Sequence, residues 1–391
     1  MARLCRAAII ASVLALTQIC SDANAQECEA KVGVVGPMSG GAALWGLSAR
    51  NGVEIAAAEF NQAGGLPMGE KRCKVVVVSY DSKYSAEGAA AAANNLASQG
   101  VNVIVGPVGS PEATGIKPVA ERNKQVTINS SFAKDAIGPQ WPLAFHAVAG
   151  PSAWAKPVVK MAKEKFDIKS IVVVAPNDQG GTDTATVAVD TYRGMGIDAK
   201  EEYYQRGTTN FAPIVARIMR SDPTAIDVCT APPGDAATLV KQLLEAGFKG
   251  TFGRLGGVAT DEIVRAAGGI ETLGNFYWLE SVNVEPAHLE AIVAVQKSLT
   301  QTPANPAVVA IFAASGRLAL KAISSAGTSS DGVKVAQELR NLSIDDPWLG
   351  KGDWTGMPSF GIRQEFGFPV GMGLIVKGKN LGVSPVSVVG Q

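Results

Sequence analysis

The most constraining stretch of this chain is Val101-Asn102-Val103-Ile104-Val105-Gly106-Pro107-Val108-Gly109-Ser110-Pro111-Glu112. Val101 to Val105 is a short β-branched run of the kind that forms a strand covered on both faces. Gly106 and Gly109 permit a tight backbone path, Ser110 suits an N-cap and Pro111 suits the first helical position. A helix starting there directs free N–H groups beyond the strand end, where an anionic group is stabilised. In an open α/β sheet, ligands bind at that edge. Alone, such a turn reads more often as a capped connection with no ligand. A second one, Pro37-Met38-Ser39-Gly40-Gly41, follows the earlier strand Lys31 to Gly36.

The same alternation runs through most of the chain. A helical pattern covers Gly46 to Phe60, Val75 to Val78 is strand-like, and Ala86 to Ala97 is an Ala-rich helix. Val126 to Asn129 is a further strand, followed by Ser130-Ser131-Phe132-Ala133. Near Gly150-Pro151 the pattern restarts with the strand Ile171 to Ala175 and the turn Pro176 to Gly181. Strands closed by Tyr203-Tyr204, at Ala225 to Cys229 and at Thr251 to Gly253 alternate with helices from Thr182, Phe211 and Asp235. Strands and helices at this spacing predict βαβ units and mostly parallel sheets, an α/β fold. The tail differs. Helical patterns at Pro286 to Leu299, Ala307 to Ser325 and Gly332 to Asn341 precede short strand candidates such as Leu374 to Val376.

With 391 residues, two domains are expected. Lys+Arg and Asp+Glu both number 35, and that balance argues against nucleic acid as a partner. Arg3 and Arg6, the apolar run Ala7 to Leu16 and Ala23-Asn24-Ala25 read as a signal peptide cleaved after Ala25. A lipoprotein cut before Cys20 ranks second, because Ile19 is large for that position. No apolar run after Gln26 reaches the roughly 18 residues of a membrane span, so no membrane insertion is expected. Export makes disulfides permissible. Cys28 and Cys73 each precede one of two neighbouring strands, so a bridge is expected, with two free thiols as the alternative. Cys229 lies in an apolar strand and reads as a buried thiol.

Enzyme signatures fail one by one. Gly36 to Gly41 is not G-x-G-x-x-G, and no Lys-Ser/Thr follows it. Neither Ser39 nor Ser110 lies in G-x-S-x-G. His146 and His288 read as structural or surface histidines, and Asp178 and Asp183 as helix-start carboxylates. No catalytic residue, cofactor or metal is expected.

The chain resembles periplasmic solute-binding proteins of the branched-chain amino-acid type, the receptors of ABC importers. The resemblance rests on Val32–Gly46 (VGVVGPMSGGAALWG), Asn61–Gly69 (NQAGGLPMG), Tyr80-Asp81, Gly100–Ser110 (GVNVIVGPVGS), Phe211–Met219 (FAPIVARIM) and Leu239–Gly247 (LVKQLLEAG). It implies two Rossmann-like lobes of the type I periplasmic binding fold, joined by three hinge crossovers near Gly150, Ser281 and Pro369. The lobes would comprise 26–150 with 282–368, and 151–281 with 369–391. Carried over, Ser110 meets a ligand carboxylate, Ser131 meets it through its backbone, and Trp45 and Phe312 line the cleft. Plain core packing would account for those two aromatics equally well. Phe132, Gln179 and Pro233 are placed in the cleft on the same basis.

The departures bear on the ligand. Ala133 stands where the family's amino-acid binders carry threonine, and Gly180 where they carry tyrosine. Near Gly256 they place an acidic residue that pairs the ligand ammonium, and here the turn reads Arg254-Leu255-Gly256-Gly257-Val258. The carboxylate end looks kept and the ammonium end lost, with room left at Gly180. Arg254, if it reaches the cleft, would favour an acid, whereas Asp178 or Asp235 from neighbouring turns would restore an amino acid. The expected function is a monomeric, non-enzymatic periplasmic receptor that hands a small carboxylate-bearing solute to an ABC importer's permease. A ligand-sensing domain of the same fold and an exported hydrolase are the competing classes.

Overall fold

The computed structural model describes residues 28–257, 260–300 and 302–388. The expected signal peptide and its cleavage site lie outside the described residues. The first unit runs β1 (Glu29–Gly36), α1 (Ala43–Gln62), β2 (Leu66–Met68), β3 (Lys71–Asp81), α2 (Ala86–Ser98) and β4 (Val103–Val105). It continues through α3 (Ser110–Arg122), β5 (Val126–Asn129) and β6 (Ala144–His146). The second comprises α4 (Pro151–Lys165), β7 (Ser170–Pro176), α5 (Gln179–Gly194), β8 (Asp198–Tyr204), α6 (Ala212–Arg220) and β9 (Ala225–Asp227). Then come α7 (Pro233–Glu245), β10 (Thr251–Arg254), α8 (Asp261–Ala266), α9 (Ile270–Leu273) and β11 (Asn275–Glu280).

The tail contains α10 (Pro286–Leu299), α11 (Pro306–Ala326), α12 (Gly332–Asn341), β12 (Asp345–Asp346), β13 (Gly350–Lys351) and β14 (Asp353–Thr355). It ends with α13 (Met357–Phe360), β15 (Glu365–Gly367), β16 (Val370–Val376) and β17 (Lys379–Val386).

Among the described residues, one large sheet is ordered β14-β15-β6-β5-β4-β1-β3-β2 and a second β17-β16-β11-β10-β9-β7-β8, while β12 and β13 pair only with each other. β1 pairs in parallel with both β3 and β4, and β7 with both β8 and β9. The connections therefore reverse direction at β1 and at β7, which opens a crevice at the carboxyl end of each sheet. The chain passes between the sheets three times: from β6 into α4, from β11 into α10, and from β15 into β16. The short strands of the tail do the crossing back. β15 lies beside β6 in the first sheet, and β16 lies antiparallel to β11 in the second.

Local chemistry accounts for the turn read first from sequence, with two changes. The strand begins at Val103, and the N-cap is Gly109. The capping bond comes from Glu112, whose Oε2 accepts from the Gly109 N–H at 2.6 Å. That leaves the Ser110 hydroxyl available for other work. Gly106 has φ +117, a conformation only glycine tolerates readily. Gly109 serves differently: a Cβ there would lie 2.4 Å from the Tyr84 ring.

α11 is long and apolar enough to cross a membrane, with a mean hydropathy of 1.6, but it is buried inside the protein. It packs along α1 and supplies Val309, Ala310 and Ala314 to the core of the first lobe. No apolar run of that length is read from the sequence because Arg317 and Lys321 break the apolar pattern of this continuous helix.

Cys28 and Cys73 form a disulfide, and Cys229 is buried and unbridged. The parallel register of β1 on β3 brings the two cysteines together, with Lys74 N–H donating to Cys28 O at 2.8 Å. Alkylation of the unfolded chain from Gln26 onward without reductant should therefore modify one thiol, Cys229. Three modified thiols by intact mass would contradict the bridge.

Candidate functional site

Loops leaving the carboxyl ends of both sheets converge on one cavity between the lobes, holding about 600 Å³ of space free of protein atoms, its mouth included. The first lobe contributes Trp45 from α1, Tyr84 after β3, Val108, Gly109 and Ser110 at the start of α3, and Ser130 and Phe132 after β5. The second lobe contributes Gly180 and Gly181 at the start of α5, Arg206 after β8, Thr230 after β9 and Gly256 after β10. Val148 and Ser281 come from two of the crossings, and Val308, Ile311 and Phe312 from α11.

The apolar wall is made by Trp45, Phe132, Val148, Val308, Ile311 and Phe312. The polar end has a defined donor direction. Ala133 N–H donates to Ser131 Oγ at 3.1 Å, and Ser131 Oγ donates to Ser110 Oγ at 3.0 Å. With Ser110 Oγ accepting that bond, its hydroxyl proton remains free to donate to a ligand. The Trp45 Nε1 and Arg206 Nη1 donors are buried and have no partner within the protein. Among the described residues that line the cavity, none is acidic and Arg206 is the charged one.

Arg206 is held from both sides. Its Nε donates to Asp178 Oδ2 at 2.6 Å, and its guanidinium lies 4.2 Å from the centre of the Tyr84 ring, a cation–π contact across the cleft. Burial pulls the Arg206 pKa down, but Tyr84 and Asp178 outweigh it and the net direction is upward. The guanidinium stays charged. Beneath Ser110, burial pushes the Glu112 carboxyl up to about 7, although bonds from Ser82 and the Gly109 N–H oppose this. Several cavity residues also sit in left-handed backbone conformations. Tyr84 has φ +56, Gly256 has φ +69 and Thr230 has φ +51, the last unusual for a β-branched side chain. Such outliers concentrate where a site needs a specific side-chain direction.

Six residues singled out from sequence line the cavity: Trp45, Ser110, Phe132, Gly180, Gly256 and Phe312. Five others do not. Ser131 and Ala133 lie one step behind it, as the bonds above describe. Gln179 sits at the rim, where its Nε2 donates to Asp135 Oδ1 at 2.6 Å and its Oε1 accepts from Thr114 Oγ1. It bridges the lobes outside the cavity. Pro233 starts α7, which packs against the Gly40-Gly41 turn of the other lobe. Arg254 corrects a sharper expectation. It is the last residue of β10 and fully buried, folded beneath Gly257, where an added Cβ would lie 2.5 Å from Arg254 Nε.

Gly180 is a second correction. It leaves no extra room for a ligand: a Cβ there would stand 2.4 Å from Ser110 Oγ, so the glycine lets α5 close onto α3. Asp178 and Asp235 are also committed elsewhere. Asp178 caps α5 through Gly181 N–H at 3.0 Å and pairs with Arg206, while Asp235 accepts from Gly207 N–H at 3.1 Å. Neither lines the cavity. Sequence reasoning missed Arg206 and Tyr84. Both follow directly on strand ends, in Gln205-Arg206-Gly207 and Ser82-Lys83-Tyr84, and the strand-end rule applied at Ser110 would have reached them.

Comparison with known proteins agrees with this architecture. The profile of the periplasmic binding protein family matches residues 29–361. The leucine-, isoleucine-, valine-, threonine- and alanine-binding protein of Pseudomonas aeruginosa is 25% identical over 319 residues, covering 81% of this chain and 83% of that protein. The branched-chain amino acid transporter substrate-binding protein LivJ of Streptococcus pneumoniae, solved with isoleucine, superposes with a TM-score of 0.76 at 21% identity. That match covers 91% of this chain and 99% of that one. A solute-binding protein of an ABC transporter from R. palustris, solved with benzoate, gives 0.75 at 17% identity, over 92% and 98%. At these identities the structural likeness concerns the fold.

Proposed function

The chain belongs to the periplasmic binding protein family, and on that premise we propose that it is an exported receptor for a small carboxylate with an apolar body. In this reading it acts by binding and lobe closure, without a chemical step, and hands its ligand to the permease of an ABC importer. The signal peptide read at residues 1–25 supports periplasmic delivery. The carboxylate occupies the Ser110 end and the apolar body lies against Trp45, Phe132 and Phe312.

The observation that carries this reading is the sign of the cavity. The polar atoms of the residues lining it include the Ser110 hydroxyl and the unpartnered Trp45 Nε1 and Arg206 Nη1, all of which can donate. Among the described residues lining it, none is acidic. An α-ammonium buried there would lose its hydration and meet Arg206 in place of a counter-charge. A deaminated or aromatic acid incurs neither cost. The relatives named for leucine, isoleucine and valine, and the neighbour solved with benzoate, bracket the choice.

Calorimetric titration of the mature protein with benzoate, 4-methyl-2-oxopentanoate and leucine decides it. An acid without an ammonium should bind at least about tenfold more tightly than leucine, a difference of roughly 1.4 kcal/mol. Leucine binding with no response to either acid would overturn the ligand class.

A further inference from the structure

The Ser110–Ser131 pair does not end in solvent. It continues through a buried hydrogen-bonded pair to the hinge. His146 Nε2 lies 2.7 Å from the Ser131 carbonyl oxygen, and His146 Nδ1 lies 2.7 Å from Glu365 Oε2. Glu365 Oε2 also accepts from the Gly150 N–H at 3.1 Å, while Thr355 donates to Oε1 at 2.9 Å. His146 and Glu365 are both buried.

The placement of the pair follows from topology. His146 ends β6 and Glu365 starts β15, and the two are register partners in the first sheet. Partners directly opposite one another present their side chains on the same face. Each strand then leaves for the other lobe, β6 through residues 147–150 into α4 and β15 through 368–369 into β16. One hydrogen-bonded pair therefore clamps two of the three crossings. The fit leaves little slack: a Cβ on Gly150 would lie 3.3 Å from the Phe360 ring and 3.5 Å from Glu365 Oε2.

The direction of the bonds is also set. A carbonyl oxygen only accepts, so His146 Nε2 carries a hydrogen and holds the Ser131 carbonyl. Nδ1 faces a carboxylate oxygen that already accepts from Gly150, so one proton lies between imidazole and carboxylate. The side chain of that same Ser131 aims the Ser110 hydroxyl. Structural packing alone needs no such continuity, since a buried hydrogen-bonded polar pair is not by itself strongly stabilising.

We propose that His146 and Glu365 are positioning residues that tie the ligand-facing hydroxyl of Ser110 to the hinge, through the chain Ser110–Ser131–His146–Glu365–Gly150. Ligand contact and lobe closure then share one hydrogen-bond chain. The ligand-contact half rests on the reading of Ser110 given above, and the coupling half does not.

The chain has two histidines, so an imidazole-labelled protein gives two sets of ring signals. His288→Gln assigns them. In the protein with no acid added, Ser110→Ala should shift the His146 ring signals and leave those of His288 in place. Ser98→Ala, at an exposed serine on α2, should shift neither. An unmoved His146 signal in Ser110→Ala overturns the coupling, whether or not any acid binds. With benzoate or 4-methyl-2-oxopentanoate as the probe, Glu365→Gln should lower affinity by about tenfold in the native background and much less in Ser110→Ala. Equal losses in both backgrounds would reduce the pair to plain structure and overturn the proposal. If neither acid binds while the His146 signal still moves, the ligand reading fails and the coupling stands.

Discussion

Replacing Arg206 by methionine should weaken binding of a carboxylate ligand by about 10- to 100-fold, the range of one charge-assisted hydrogen bond of roughly 1.5–3 kcal/mol. Arg206 Nη1 is the buried cationic donor at the cavity with no protein partner, and its other nitrogens are held by Asp178. Methionine keeps much of the apolar contact with Tyr84 and removes the donor and the charge. Asp178 keeps its cap on the Gly181 N–H, so the fold of the second lobe should survive. Arg206→Lys should fall between the two, because an ammonium retains the charge but loses the planar fork. The same substitution to methionine should narrow the preference for acid over leucine, because the cationic wall that opposes an ammonium is gone. Side-by-side titration of benzoate and leucine against both variants checks this. Unchanged benzoate affinity in Arg206→Met would remove the guanidinium from the site.

Gly180→Ala is the second large effect, and it separates binding from stability. The added Cβ would stand 2.4 Å from Ser110 Oγ and 2.8 Å from Ser110 Cβ, across the gap between α5 and α3. Two responses are open to the protein, and both cost binding. Ser110 can rotate away, which breaks its 3.0 Å bond to Ser131, or the lobes can stand further apart. Overpacking of this kind costs about 1–3 kcal/mol, up to roughly 100-fold in Kd. Within its own lobe the change is benign. Gly180 lies in the first turn of α5 with an ordinary backbone conformation, and alanine is the better helix former by about 1 kcal/mol. Affinity should therefore fall while the melting temperature of the ligand-free protein holds or rises. A parallel drop in both would show that Gly180 matters to the lobe itself and not to closure.

These two residues mark the limit of what the sequence determined. The alternation of strands and helices was legible because side-chain period, glycine punctuation and caps are local signals. The helices of the tail were read within a residue or two, and the Cys28–Cys73 bridge was one of two readings of cysteines near the starts of adjacent strands, although Cys73 lies inside β3 and not before it. The first cavity residue, Ser110, was legible for the same reason: a strand, a glycine turn and a helix start occur within a dozen consecutive positions.

What tertiary structure decided was direction and distance across the cleft. Arg254 and Arg206 both stand near strand ends, and their sequences do not rank them. Arg254 is still in β10, so its side chain obeys the sheet and enters the interior. Arg206 lies two residues past β8, free of the sheet, and reaches the cavity over Tyr84 from the opposite lobe. Gly180 could be read as space only until the other lobe was in place. His146 and Glu365 are 219 residues apart, and nothing local connects them. Composition and spacing describe contacts a few residues away along the chain. The residues that line the cavity come from separate lobes, and their geometry exists only once the three crossings have brought the lobes together.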